Sequence, residues 1–191
     1  MDYYDHHPLL TLPRPACLVG FYGSQADTVA RLVSARTGLP LSVLDRWVEH
    51  ETGKSCSQLA LQEGSEALAR AQAHQLGRAL SRAPAGLVVL SATVLSHADV
   101  LARVLQHATL VYIERDPPFL LENLQRDWEQ DRANHPPFVY APPSTLQDLQ
   151  DLLAPHLPFY EAAHLTLRGG RRSVHAIAVE LLAWLRRSTA H

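Results

Sequence analysis

Short apolar runs alternate along this chain with longer segments of amphipathic pattern. Within each run the apolar residues are continuous rather than interleaved with polar ones, which is typical of parallel strands buried on both faces. The runs predict five strands, at residues 15–19, 39–44, 86–91, 108–113 and 164–168.

The segments between these runs have the spacing of amphipathic helices. In the first of them Val29, Leu32 and Val33 share one face, and the following Gly38 is a signal for a helix end. Because strand and helix patterns alternate, the chain is predicted to fold as a doubly wound α/β domain with right-handed crossovers.

Two segments interrupt this alternation. Residues 45–82 have only helical pattern although they lie between the second and third predicted strands, and residues 132–143 form a proline-rich loop between two helices. Ligands of such sheets bind beyond the carboxyl ends of the strands. We expect both insertions to cover that edge of the sheet.

The segment GFYGSQADT, residues 20–28, follows the first strand and opens the first helix, which is the place of a phosphate-binding loop. Such a loop reads G-x-x-x-x-G-K-[ST]. Here Gln25 stands for the second glycine, Ala26 for the lysine and Asp27 for the hydroxyl residue. Backbone N–H groups at a helix start still attract anions, but Ala26 removes a positive charge and Asp27 adds a negative one.

Two interpretations of this loop remain open. In the first, Asp27 satisfies the free N–H groups of the first helical turn, and the loop is an internally capped turn without nucleotide. In the second, the loop is a modified nucleotide site. Gln25 places a Cβ where close backbone approach and a positive φ favour glycine.

Composition narrows the classes of function. The 191 residues suffice for one domain, and a net charge of −2 gives no basic field for nucleic acid. Two cysteines provide neither a disulfide framework nor a metal-binding spacing, so no metal site is predicted. No apolar run is long enough to cross a bilayer, and the first ten residues are unlike a signal peptide. We expect a cytoplasmic protein whose partners include neither nucleic acid nor membrane.

In motif order and spacing the chain resembles the shikimate kinase family over about residues 15–187. The resemblance rests on the strand–loop–helix opening, on LQEGSEALARAQ at 61–72 and on LPFYEAAHL at 157–165. It implies a P-loop kinase-type parallel sheet of five strands in the order 2-3-1-4-5, flanked by helices and carrying a lid. It also implies an organisation into an N-terminal arm at 1–14, a kinase-like domain at 15–191, substrate-binding-like helices at 45–82 and a lid-like region at 126–144.

The same resemblance indicates that the family's phosphate-binding and magnesium-binding residues are replaced. The phosphate-loop lysine and the hydroxyl on magnesium fall on Ala26 and Asp27. The aspartate that supports magnesium falls on Val43, whereas the aspartate that holds the shikimate hydroxyls is retained as Asp45.

The family's substrate-binding cations are replaced as well. The arginine that binds the substrate carboxylate falls on Ala69, and the glutamate after it falls on Gln72. Two further arginines, one of them in the lid, fall on His135 and His156. A neutral imidazole cannot replace a bidentate guanidinium, so either histidine is a weakened substrate contact or simply an exposed polar residue.

Several other residues keep two interpretations. Asp45 either binds a hydroxylated ligand or is the N-cap of a helix over 46–52. Lys54, the only lysine, is a surface residue or a relocated phosphate clamp. Arg132, in the lid-like region, is the leading candidate for a replacement cation, with Arg115 and Arg126 as the others.

Three hypotheses of function follow. The first is a shikimate kinase-like protein that has lost ATP-dependent phosphotransfer and binds a small ligand or a protein partner. The second is an active shikimate kinase, or a related small-molecule kinase, with rearranged cations, and only this one requires ATP and magnesium. The third is a structural or interaction protein. Under the first hypothesis no catalytic residue is intact, and the degenerate phosphate loop consists of Gly20, Gly23, Ser24, Gln25, Ala26, Asp27 and Thr28.

Overall fold

Five parallel strands form the centre of the fold, in the spatial order β2-β3-β1-β4-β5. The computed structural model describes residues 10–130 and 142–189. The predicted α/β class and the predicted strand order are both confirmed. The strands are β1 (Ala16–Val19), β2 (Leu41–Val43), β3 (Leu87–Val89), β4 (Thr109–Arg115) and β5 (Leu165–Gly170).

Helices occupy the connections between the strands and cover both faces of the sheet. Two single turns of 3-10 helix, Val94–Ser96 and Ala154–His156, accompany them. In chain order the α-helices of the described residues are α1 (Ala26–Thr37), α2 (Leu44–Thr52), α3 (Cys56–Glu63), α4 (Ser65–Leu80), α5 (Ala98–His107), α6 (Pro117–Gln130), α7 (Leu146–Leu153), α8 (Leu157–Tyr160) and α9 (Val174–Ser188).

Local sequence explains where several helices begin and end. Ser55 with Gln58, and Thr145 with Asp148, form reciprocal capping boxes at the starts of α3 and α7. Gly38 ends α1 with φ 72°, in the left-handed region that glycine adopts without steric cost, as the sequence predicts.

The strands sort their side chains to two hydrophobic layers because successive residues of a strand point to opposite faces. Cys17 and Val19 of β1 join the layer under α4 to α8, and Ala16 and Leu18 join the layer under α1 and α9. Leu12, which the sequence places in the N-terminal arm, is buried in the second of these layers.

Three helices, α2 to α4, lie between β2 and β3 in the chain, where the sequence predicts only helices. They share a small apolar cluster of their own, formed by Val48, Cys56, Leu59 and Leu68. Within residues 10–130 and 142–189, no helix combines the length and apolarity needed to span a membrane.

Arg115, the last residue of β4, ties two loops at the carboxyl edge of the sheet together. Its side chain is only 3% exposed. Nε donates to the carbonyl of Ser24 at 3.2 Å, and Nη1 donates to the carbonyls of Arg172 at 2.5 Å and Gly170 at 3.5 Å. The guanidinium also lies over the ring of Phe119, 4.3 Å from its centroid.

The environment of Arg115 is unusual for a buried charge because carbonyl oxygens, rather than a carboxylate, accept its hydrogen bonds. Nη2 is buried and has no hydrogen-bond partner among the described residues. Burial, and to a smaller extent the charge of Arg172, lowers the pKa of Arg115. Gly169 makes room for this side chain, since a Cβ there would come within 3.0 Å of Arg115 Cδ.

Replacing this guanidinium is expected to loosen both loops. Arg115→Met keeps the apolar length but leaves buried carbonyls without donors, so unfolding free energy should fall by about 2–4 kcal/mol. Chemical denaturation measures the loss, and hydrogen exchange should accelerate selectively in residues 20–28 and 169–173. As a matched control, Arg168→Met removes an arginine whose side chain is 88% exposed and should change little. Equal stability of the two variants would contradict this role.

Candidate functional site

A cleft of about 460 Å³ opens at the carboxyl edge of the sheet. Residues 20–27 of the loop after β1 form one side of it, and the end of β2, helices α2, α3 and α4, the end of β3 and helix α6 contribute the remainder. This is the edge at which ligands bind in open parallel sheets. The cleft is therefore the candidate functional site of the described residues.

The loop after β1 contains a tight turn. The N–H of Ser24 donates to the carbonyl of Phe21 at 2.9 Å, and Gly23 has φ 80°. A Cβ on Gly23 would come within 2.7 Å of the Leu120 carbonyl, and one on Gly20 would overlap the side chain of Ser24. Gly23 therefore allows a close approach of the α6 backbone, and Gly20 leaves room for the side chain of Ser24.

Gln25 adopts the left-handed conformation at φ 61° and ψ 30°, directly before α1. This agrees with the sequence-based expectation that the position favours glycine. A residue with a Cβ pays about 1–2 kcal/mol in this region. The neighbours of Gln25 hold the turn, because Arg115 anchors the Ser24 carbonyl and Asn123 Nδ2 donates to the Gly23 carbonyl at 2.9 Å.

Asp27 does not cap α1, so the predicted internally capped turn is wrong in that respect. The helix has no side-chain cap, and its N-cap position is Gln25. Asp27 is the second residue of the helix, and its carboxylate lies on the helix surface near Arg31. It accepts a hydrogen bond from Thr28 Oγ1 at 3.4 Å and lies 3.8 Å from Arg31 Nε.

Asp45 is held at the cleft by two buried polar side chains. Gln72 Nε2 donates to Asp45 Oδ1 at 3.0 Å and to Ser91 Oγ at 2.8 Å, and Ser91 Oγ in turn donates to Asp45 Oδ1. Gln72 and Ser91 are 4% and 3% exposed. The alternative interpretation of Asp45 as an N-cap is wrong, because α2 begins at Leu44 and its N-cap position is Val43.

Negative charge predominates around the cleft. Its described lining includes one arginine, Arg46, and four carboxylates, Asp27, Asp45, Glu49 and Asp127. Sequence reasoning missed Arg46, Glu49 and Asp127. The spacing of Asp45 and Glu49, four residues apart on one helix, was the available signal for Glu49.

None of the three described cations proposed as replacements faces the loop from inside the cleft. Lys54 pairs with Glu63 at 2.5 Å on the surface, in agreement with its interpretation as a surface residue. Arg126 contacts the side chain of Asn123 and lies 3.9 Å from Asp127. Arg115 lies behind the loop rather than in the cleft. Arg132 and His135 are outside the described residues.

Two further groups at the cleft are held in their protonated form. Burial raises the pKa of the Cys56 thiol, and the nearby carboxylates of Asp45 and Glu49 raise it further. Burial, followed by the charge of Asp45, raises the pKa of Tyr22 well above its ordinary value. Neither side chain is therefore available as an anionic nucleophile at neutral pH.

His156 lies next to the cleft rather than in its described lining. Its ring is 5.8 Å from that of Phe21 and 6.2 Å from that of Tyr160, and Nδ1 is 2.9 Å from Ser96 Oγ. Burial lowers the pKa of His156, so the imidazole is uncharged at neutral pH. Among the described residues, no group of three or more His, Cys, Asp or Glu side chains is arranged to hold a metal ion.

Comparison with known proteins identifies similar sequences and similar folds. The shikimate kinase from Symbiobacterium thermophilum is 27% identical over 168 residues, which cover 86% of this chain and 92% of that protein. The shikimate kinase from Chlorobium chlorochromatii is 26% identical over 165 residues, covering 86% of each.

Solved structures of low sequence identity share the fold. The shikimate kinase from Acinetobacter baumannii in complex with shikimate superposes with a TM-score of 0.82 at 22% identity, covering 96% of this chain and 98% of that one. The shikimate kinase from Aquifex aeolicus gives a TM-score of 0.74 at 19% identity, covering 90% and 96%. A sequence model described as shikimate kinase matches residues 23–186. The chain therefore belongs to the shikimate kinase family.

Proposed function

We propose that this member of the shikimate kinase family does not transfer phosphoryl groups from ATP, and that its cleft binds a small hydroxylated ligand without phosphate. The observation that carries the proposal is the charge of the cleft, with four carboxylates and one arginine in its described lining. Phosphoryl transfer depends almost entirely on positioning and on electrostatic stabilisation of negative charge. A cleft whose charged side chains are mainly carboxylates lacks this electrostatic stabilisation of negative charge.

The phosphate loop supports the proposal most directly. A nucleotide held by the backbone N–H groups of the first turn of α1 would meet Ala26 in place of a lysine and Asp27 in place of a hydroxyl. Two like charges about 4 Å apart repel by about 4 kcal/mol at an effective dielectric constant of 20. The described lining of the cleft offers one cationic side chain, Arg46, to balance the charge of the phosphates.

The other end of the cleft supports a hydroxylated ligand. Gln72 and Ser91 orient the carboxylate of Asp45, which lines the cleft and can accept hydrogen bonds from hydroxyl groups. The positions that resemble the family's substrate arginines hold Ala69 and the uncharged His156. In the described lining of the cleft, Arg46 is the arginine that an acidic substrate would meet.

One observation favours a second candidate, an active kinase with rearranged cations. The loop after β1 has positive φ at Gly23 and Gln25 directly before α1, and Arg46 lines the cleft. In this candidate Arg46 neutralises part of the charge on the substrate or the phosphate, and Arg132 of the lid-like region supplies the remainder.

Direct assay separates these candidates. We expect calorimetric titration with ATP·Mg and ADP to give no heat of binding, and a coupled assay with ATP and shikimate to give no turnover above background. The shikimate kinase from Symbiobacterium thermophilum is the positive control for the assay. Turnover would establish the kinase, and heat with nucleotide alone would indicate a nucleotide sensor. Absence of heat with shikimate as well would favour an interaction protein.

Restoring the lost charge tests the electrostatic explanation. The double substitution Ala26→Lys and Asp27→Ser should improve affinity for ATP·Mg at least tenfold in calorimetry, because the loop backbone is already in place. Ala35→Lys is the control for the added lysine, since it places one positive charge, half of the double variant's change of +2, at an exposed position near the far end of α1. If the double variant gained no affinity, or the control gained as much, the loss of charge in the loop would not explain the lack of binding.

A further inference from the structure

A second cavity of about 290 Å³ lies at the opposite, amino edge of the sheet, and we call it the amino-edge cavity. Ala16 and Thr109, the first residues of β1 and β4, line it, together with His164 directly before β5. The remaining walls come from the chain before β1 and from the end of α9. Their residues are Leu12, Pro13, Arg14, Trp184, Leu185, Ser188 and Thr189.

The amino-edge cavity differs from the cleft in charge. Its described lining includes one arginine and one histidine but no carboxylate. Leu12, Ala16 and Leu185 supply a buried apolar floor, and the half-buried indole of Trp184 supplies a flat wall. A ligand that fits this lining has an apolar, planar body and a negatively charged end.

A backbone hydrogen bond determines which ring nitrogen of His164 is a donor. The N–H of Leu110 donates to His164 Nδ1 at 2.9 Å, so Nδ1 is the acceptor. The proton of the neutral ring is therefore on Nε2. His164, which lines the amino-edge cavity, therefore has a ring N–H donor at Nε2.

Thr109, the residue before Leu110 in β4, holds the side chain of Arg14. Arg14 Nε donates to Thr109 Oγ1 at 2.9 Å, and both guanidinium Nη atoms retain donors beyond this contact. No described carboxylate lies within ion-pair distance of Arg14. Arg14 and His164 both line the amino-edge cavity.

The end of α9 does not oppose an anion strongly, because its last carbonyls already have partners. Ser188 Oγ donates to the carbonyl of Trp184 at 3.1 Å, and the N–H of Thr189 donates to the carbonyl of Leu185 at 3.2 Å. Arg186 and Arg187 add positive charge to the same turn.

We propose that the amino-edge cavity is a binding site for a small aromatic carboxylate. The ring packs against Trp184 and the apolar floor, and the carboxylate accepts hydrogen bonds from Arg14 and His164 Nε2. The volume, about 290 Å³, is at the lower limit of small-molecule sites and suits a ligand with a single ring. The site is independent of the cleft, because no lining residue is common to both cavities.

Benzoate, with benzyl alcohol as its uncharged counterpart, is the probe that tests this site in the full chain. Calorimetry should give an affinity for benzoate at least tenfold higher than for benzyl alcohol, because only the carboxylate makes charge-assisted hydrogen bonds. In heteronuclear NMR the indole N–H signal of Trp184, assigned with Trp184→Phe, should shift more than those of Trp47 and Trp128.

Substitutions in the lining locate the site. Arg14→Gln should lower benzoate affinity about tenfold. His164→Asn retains an acceptor for the Leu110 N–H but removes the Nε2 donor, and should lower it severalfold. Arg82→Gln, at an exposed arginine after α4, is the matched control and should leave affinity unchanged. Circular dichroism verifies that each variant is folded.

Several results would overturn the proposal. These are failure of benzoate to bind at millimolar concentration, equal affinity for benzyl alcohol, and shifts confined to Trp47 or Trp128. Unchanged affinity in both Arg14→Gln and His164→Asn would also overturn it. None of these outcomes depends on whether the cleft binds nucleotide or shikimate.

Discussion

Parallel pairing of β1 between β3 and β4 is the constraint on which the rest of this structure depends. In register, Leu18 of β1 lies beside Val89 of β3 and Val111 of β4, so the three strands end at the same edge. Residues far apart in sequence meet there as a result, and Asp45 accepts a hydrogen bond from a serine 46 positions further along the chain. The same pairing brings the starts of the strands together at the opposite edge, where the second cavity lies.

At the carboxyl edge, the loop after β1 has a tight glycine-containing turn, but the cleft beside it is lined mainly by negative charge. The turn needs glycine at Gly20 and Gly23 and tolerates the left-handed Gln25 because contacts from behind hold it. Arg115 provides the most extensive of these contacts. Its charge is directed to the carbonyl of Ser24 and to the turn after β5, rather than to the cleft. The shape of this loop therefore depends on a cation behind it, and the loop itself contains no lysine.

The cleft and the amino-edge cavity have opposite charge balance, and each lies at the end of a helix. The cleft combines carboxylates with the start of α1, whose N–H groups have no side-chain cap. The amino-edge cavity combines an arginine and a histidine donor with the end of α9, whose carbonyls already have partners. At the cleft, the start of α1 offsets part of the charge of the carboxylates. At the amino-edge cavity, the partnered carbonyls of α9 leave the positive charge of Arg14 largely unopposed.

The sequence by itself determined the α/β class and the approximate strands and helices, because continuous apolar runs and helical spacing are local signals. With the family resemblance it also predicted the strand order. It placed Asp27 in the first turn of α1, as the structure does, but assigned it a capping role that the structure lacks. One of its two interpretations treated Asp45 as an N-cap, whereas α2 begins one residue before it, at Leu44. Only the tertiary structure decided that Gln72 and Ser91 hold Asp45, that Arg115 lies behind the loop, and that Arg14 and His164 share a cavity. Each of these depends on contacts between residues distant in the chain, which only the packing of strands and helices brings within hydrogen-bond distance.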